Sequence, residues 1–248
     1  MIMNQPPEAL PGVTLVGGGP GAWDLITVRG MRALQNADVI LADHLGPSTE
    51  LEKLCDLSGK TLIDAAKLPY GRQMAQEKIN ELMVEHARQG SNVVRLKGGD
   101  PYVFGRGFEE VQACQEAGIP CTVVPGVTSA ISVPGAVGVP VTQRGVVHSF
   151  TVISGHVPPG HPQSLNNWEA LAQTGTLVVI MGVKNSRSIA NALLVGGRSG
   201  DTPAAVIQEG TTSEERTFRC TLSTLADVIE HESIKPPAVY VIGEVADL

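Results

Sequence analysis

The stretch Val13-Thr-Leu-Val-Gly-Gly-Gly-Pro-Gly-Ala-Trp-Asp24 runs a short apolar segment into four glycines and a proline. Gly17, Gly19 and Ala22 satisfy the GxGxxG/A spacing of a dinucleotide-binding turn, and a strand-like segment precedes them as that motif requires. In such a turn the last glycine opens a helix whose first backbone N–H groups face the pyrophosphate. Here Trp23, Asp24, Leu25 and Ile26 intervene before a helix can begin near Thr27, and Pro20 has no N–H to donate. A helix dipole acts only within its first turn, so the spacing argues against a phosphate cradle. It leaves a loop for another ligand, or a tight packing turn.

Outward from this loop, strand and helix signals alternate. Val13 to Val16, Asp38 to Ala42, Asn92 to Lys97 and Cys121 to Val124 read as strands. Helices are expected from near Thr27, over Gln76 to Gln89 with Gly90 as the stop, and over Glu109 to Ala117 closed by Gly118. That order predicts a mainly parallel, helix-covered sheet. Pro125, Pro134 and Pro140 interrupt any long element, so residues 126–147 are expected to link an N-terminal α/β domain (12–125) to a C-terminal α/β domain (148–248). In the second domain Phe150 to Ser154, Thr176 to Met181, Ala204 to Gln208, Thr217 to Leu222 and Ala238 to Ile242 read as strands. Only Arg187 to Leu194 and Leu225 to His231 read as helices, which predicts a mixed sheet.

A chain of 248 residues, 42% apolar, is long enough for a real core, and 4% aromatic content is too low for a single-strand nucleic-acid platform. The formal charge of −7 disfavours nucleic acid as well. The charge is uneven: residues 60–150 hold nine of the 18 basic side chains against eight acids, so an anionic ligand should favour the middle of the chain. The four cysteines form no CxxC pair and are expected to be reduced and cytoplasmic. Met1 to Pro11 lacks the features of a secretion signal and no run of about 18 apolar residues occurs, so neither export nor membrane spanning is expected. His156 and His161 sit five apart across a Pro-Pro-Gly loop with no third ligand near, so no metal is expected.

The stretch Val93-Val-Arg-Leu-Lys-Gly-Gly-Asp-Pro-Tyr-Val-Phe-Gly-Arg-Gly-Phe-Glu-Glu110 carries a stronger signal. A strand ends in Gly98 and Gly99, which permit close backbone approach, and Asp100 follows at the edge where a parallel sheet presents ligands. Arg106 between Gly105 and Gly107 is poorly placed for packing, whereas Lys97 reads equally well as a solvated cation.

Both loops resemble the signatures of the tetrapyrrole methylase family, in its uroporphyrinogen-III C-methyltransferase branch. The first resembles Val16-Gly-Gly-Gly-Pro-Gly21 with Leu25-Ile-Thr-Val-Arg-Gly30, and the second Val94 to Gly107. Matching segments continue at Val124 to Ala130, Pro140 to Arg144, Met181-Gly182, Gln208 to Thr211 and Pro236 to Val239. The resemblance implies a homodimer of two α/β domains with the active site in the cleft between them. It implies transfer of methyl groups from S-adenosylmethionine to C2 and C7 of uroporphyrinogen III, giving precorrin-2 and S-adenosylhomocysteine, on the way to sirohaem or cobalamin. Pro20, Gly98, Gly99, Asp100, Val103, Thr128, Ser129, Met181, Gly210 and Ala238 would bind the donor. Lys67, Arg106 and Arg144 would bind substrate, and Arg106, Glu109 and Asp43 would be catalytic. An arginine with a pKa above about 12 is a poor base, so Arg106 is expected to orient substrate carboxylates while Glu109 or Asp43 manages the proton.

The chain departs from the family's pattern at Ala22 and Trp23, and at Gln143, which stands where relatives usually carry a histidine and cannot take up a proton. Some relatives fuse this module to a dehydrogenase and ferrochelatase, and within these 248 residues no such domain is expected. Beside the main reading stand a methylase of the same fold acting on a later precorrin, a nicotinamide oxidoreductase and a non-catalytic binding protein.

Overall fold

The computed structural model describes residues 12–43, 45–65 and 72–248, so the expectations placed on Lys67 and on Met1 to Pro11 lie outside the described residues. The chain divides into two compact units, the first ending at Thr128 and the second running Ser129–Leu248. In the first, β1 (Gly12–Gly17), β2 (Val39–Ala42), β3 (Thr61–Asp64), β4 (Asn92–Lys97) and β5 (Cys121–Val124) form a parallel sheet in the order β3-β2-β4-β1-β5. The connecting helices are α1 (Val28–Gln35), α2 (Arg72–Arg88) and α3 (Gly107–Glu116).

Alternation along the strands sorts the core into two layers. Val16, Ile40, Val94, Leu96 and Val124 pack with Leu34 of α1, with Leu51 of the 3-10 turns at Gly46–Lys53 and with Leu54 just after them. On the other face Val13, Leu15, Val39, Leu41 and Val93 pack with Ile79 and Met83 of α2 and with Val111 and Cys114 of α3. Helix α1 starts where the sequence places it: the Thr27 hydroxyl caps it by accepting from Gly30 N at 3.1 Å. Trp23–Leu25 form a 3-10 turn in the gap before it.

The second unit holds β6 (Phe150–Ser154), β7 (Thr176–Ile180), β8 (Pro203–Gln208), β9 (Arg216–Thr221) and β10 (Ala238–Ile242) in the order β6-β7-β10-β8-β9. Only the β6–β7 pair is parallel, which makes this sheet mixed. Residues 126–147, expected to be a linker, include a helix, α4 (Ser129–Ala136), that clusters with this unit. Its Ala130 and Val133 pack on Val178, Ile180 and Val239. Pro134 lies inside the helix but forfeits only one backbone bond, and apolar burial outweighs that loss. The opposite face is covered by α5 (Trp168–Ala172), α6 (Ser186–Val195) and α7 (Leu225–His231). Among the described residues no helix is long and apolar enough to cross a membrane.

The loops after β1, β4 and β5 meet as bare backbone. A Cβ on Gly126 would lie 2.1 Å from the Gly99 carbonyl oxygen and 2.6 Å from Gly17 Cα, both main-chain atoms that cannot rotate away. Gly126→Ala should therefore lower stability by about 1–3 kcal/mol, read as a reduced urea midpoint with an unchanged m-value.

Candidate active site

In a parallel sheet every strand delivers its C-terminal loop to the same edge, where ligands of such folds bind. Here that edge carries Gly18 to Pro20 after β1, Asp43 after β2, Gly98 to Asp100 after β4 and Gly126 to Thr128 after β5. Gly18 and Gly19 of the first loop spend their N–H groups on protein. Gly18 N donates to the Lys97 carbonyl at 2.8 Å, Gly19 N to the Gly99 carbonyl at 3.2 Å, and Gly99 N back to the Gly19 carbonyl at 2.7 Å. This short antiparallel bridge removes the donors a phosphate would need. Asp100 ties the third loop in: its Oδ2 accepts from Gly126 N at 2.9 Å and its Oδ1 from Tyr102 N at 2.8 Å. Val103 N donates to the Asp100 carbonyl at 3.2 Å, so the carboxylate and backbone of Asp100 shape the loop that carries Val103.

Beneath these loops lies a cluster of charges. Arg95 and Lys97 share the face of Val93 by the strand's two-residue period, and on that face α3 presents Glu110. Glu110 Oε1 accepts from Arg95 Nε at 3.0 Å, Lys97 Nζ at 2.8 Å and Gln76 Nε2 at 3.2 Å. Its Oε2 is buried with no hydrogen-bond partner among the described residues. Burial pushes the Lys97 ammonium below its ordinary pKa, and the neighbouring Arg95 charge adds to that shift. Burial also opposes the Arg95 charge, but Asp43 and Glu110 outweigh it and hold the guanidinium above its ordinary value. Lys97 is thus buried, not solvated, and Arg95 and Glu110 are site residues the sequence reading did not single out. The signal was available: charged residues alternating on a strand with covered faces must be buried and paired.

Arg106 stands at the rim, in the left-handed region with φ of 57°, as the residue before α3. Its Nε and Nη2 grip Glu109 Oε1 and Oε2 at 2.8 and 2.6 Å, a bidentate pair with both side chains about half exposed. The Arg106 hydrogen bond holds the Glu109 carboxyl below the usual carboxylate range, and Glu109 in turn raises Arg106. Exposed aromatic residues, Tyr102, Phe104 and Phe108, come from the same loop and the first turn of α3. Asp43 lies apart from Arg106's pair and bonds Arg95 Nη2 through Oδ1 at 2.7 Å. Arg144 is exposed in the turn closed by the Gln143–Val147 bridge.

In the second unit, register brings another set of the expected residues to one sheet edge. Ile180 opposes Val239 and Ala238 opposes Gln208, so Met181, Ala238 and Gly210 emerge together at the ends of β7, β10 and β8. Ser129 opens α4, which packs on β7 and β10. A Cβ on Gly210 would lie 2.4 Å from a Val133 methyl, so that loop touches α4 only as glycine. Met181, Glu209 and Thr211 all hold φ between 50° and 71°. Left-handed backbone costs a non-glycine residue about 1–3 kcal/mol and collects at ligand loops, a cue no sequence pattern displays. Among the described residues no group of three His, Cys, Asp or Glu could hold a metal ion, and all four cysteines are free thiols.

The sequence pattern of the family described as Tetrapyrrole (Corrin/Porphyrin) Methylases matches residues 12–226. The chain belongs to this family. Among its methylase relatives is the uroporphyrinogen-III C-methyltransferase of Bacillus subtilis, 43% identical over 95% of this chain and 91% of that one. The S-adenosyl-L-methionine-dependent uroporphyrinogen III methyltransferase of Methanosarcina barkeri is 42% identical over 95% and 92%. The solved uroporphyrin-III C-methyltransferase of Thermus thermophilus, complexed with S-adenosyl homocysteine, superposes with a TM-score of 0.80 at 37% identity, covering 95% of this chain and 99% of its own. Both sheets, parallel and mixed, therefore match a methyltransferase fold.

The two glutamates at 109 and 110 should behave oppositely on removal. Glu110→Ala leaves two buried cations short of a carboxylate and should cost about 3–5 kcal/mol in urea unfolding. Glu109→Gln should cost at most about 0.5 kcal/mol, because water screens the exposed pair. Since the folded Glu109 pKa is depressed, that small contribution is complete above the unfolded-chain value of 4.5 and is lost as pH falls through the folded value, as unfolding at pH 7 and pH 3 will show.

Proposed function

We propose that this methylase transfers methyl groups from S-adenosylmethionine to C2 and C7 of uroporphyrinogen III, giving precorrin-2 and S-adenosylhomocysteine. The observation that carries the reading is the 43% identity to the Bacillus subtilis uroporphyrinogen-III C-methyltransferase, sustained over 95% of this chain. S-adenosylmethionine supplies an electrophilic methyl on its sulfonium. The protein's task is then alignment, for which proximity and orientation offer about 7–11 kcal/mol.

Within the first unit the residues we assign to the donor are Pro20, Gly98, Gly99, Asp100, Val103 and Thr128; within the second they are Ser129, Met181, Gly210 and Ala238. Their chemistry suits a compact zwitterion: small residues allow close approach, Thr128 and Ser129 bring hydroxyls, and half-exposed Met181 brings a soft apolar contact. Asp100 serves through its loop, because both its carboxylate oxygens already bond main-chain N–H groups. Lys67, Arg106 and Arg144 hold substrate carboxylates, and the substrate's remaining acids stay in water, since a buried unpaired carboxylate costs several kcal/mol. Methylation of a pyrrole carbon leaves positive charge that is discharged by loss of the N–H proton. Of the two candidate acceptors, Asp43 has an oxygen without a hydrogen-bond partner among the described residues, whereas both Glu109 oxygens are engaged by Arg106. The reading extends to a homodimer in the cytoplasm, a compartment in which four free thiols are at home.

An anaerobic assay with uroporphyrinogen III and labelled donor should yield two methyl groups per tetrapyrrole, and no incorporation refutes the reading. In the same assay Arg106→Lys should lower kcat/KM roughly 10- to 100-fold through loss of the bidentate grip. KM for the tetrapyrrole should rise with ionic strength, and an unchanged KM removes the electrostatic account.

A further inference from the structure

The ligand edge of the first sheet stands on Arg95, which reaches two carboxylates with different nitrogens: Nε to Glu110 Oε1 at 3.0 Å and Nη2 to Asp43 Oδ1 at 2.7 Å. Its Nη1 donates to the Leu96 carbonyl at 3.0 Å. A planar guanidinium held along three edges has one orientation. Glu110 is itself pinned by Lys97 and Gln76. Of the four charged side chains, Arg95, Lys97 and Glu110 retain 3%, 5% and 0% exposure, while Asp43 retains 27%.

Such a cluster is a poor source of stability, because apolar side chains of similar volume fill a buried site as well or better. What it does supply is a fixed direction for the one carboxylate that reaches the surface. We propose that Arg95, braced by Glu110, is a positioning residue for methyl transfer: it holds Asp43 by Oδ1 and leaves Oδ2 to take the proton from the acceptor pyrrole. The pyrrole N–H bond breaks, its electron pair stays in the ring and neutralises the charge left by C-methylation, and the proton joins Asp43. The inference rests on the methyltransferase reading above.

The test is a cycle of Arg95→Met, Asp43→Asn and the double variant in the full chain. Turnover with uroporphyrinogen III is measured beside calorimetric affinity for S-adenosylhomocysteine and urea midpoints. Asp43→Asn should lower kcat about 100-fold and Arg95→Met about 10-fold, and the double variant should be no slower than Asp43→Asn, because Arg95 works through Asp43. Affinity for S-adenosylhomocysteine should stay within about twofold in all three. Losses that multiply to about 1000-fold overturn the proposal, as does wild-type kcat in Asp43→Asn. Arg95→Lys keeps the buried charge but has one nitrogen where two carboxylates must be spanned. It should fold with a near-wild-type midpoint and lose kcat as Arg95→Met does, and full activity in it overturns the positioning role. If the unaltered protein transfers no methyl group, the functional reading fails and takes this inference with it. If it does transfer them and the losses multiply, only the inference fails.

Discussion

Three backbones, at Gly17, Gly99 and Gly126, touch without a side chain between them, and the rest of the first unit's ligand edge is arranged around that contact. Because the loops approach this closely, main-chain groups of one can bond main-chain groups of the next, and a single aspartate, Asp100, can clasp two of them. The glycine string after β1 therefore has a defined purpose that its spelling conceals. It closes a backbone seam with β4 and the loop after it, and the Gly18 and Gly19 N–H groups that an anion would need are consumed in doing so.

The second constraint is electrical. Strand β4 is flanked by β2 and β1 and covered on both faces, yet two of its six residues are cations. A charge in that position must find a partner within the protein, and Glu110 meets both from the first turns of α3. Helix α3 is thus anchored by charge at its start and by Val111 and Cys114 along its length. Arg106, the residue before it, inherits a fixed position from that anchorage.

Much of this was legible in the sequence, for identifiable reasons. The bounds of β4, β5, β6, β10 and α7 could be read closely, because runs of Val and Ile end in Gly or Pro, and because Leu225, Ile229 and their neighbours recur at helical spacing. Strand β3 was missed: four residues at a sheet edge, Thr61 and Leu62 exposed, give too little alternation to register. Helix α4 was missed because Pro134 reads as a breaker, and its stabilising packing on the second sheet is not visible in local sequence. In the site, Gly98, Gly99, Asp100 and Arg106 stood out by local chemistry. Arg95 and Glu110 did not, since their pairing depends on which face of a central strand meets which turn of a helix 13 to 15 residues away.

Arg106 already holds a carboxylate, that of Glu109, in its grip. In its proposed role a substrate acid group trades places with Glu109 instead of adding an ion pair, and the free energy of the trade is a difference between two similar bonds. One small acid gains almost nothing from that exchange, whereas a tetrapyrrole presenting several carboxylates at once can engage Arg106 while its other groups bind elsewhere. The released Glu109, half exposed, is solvated by water at little cost. On that reading, small carboxylic acids are weak competitors at the rim of the site.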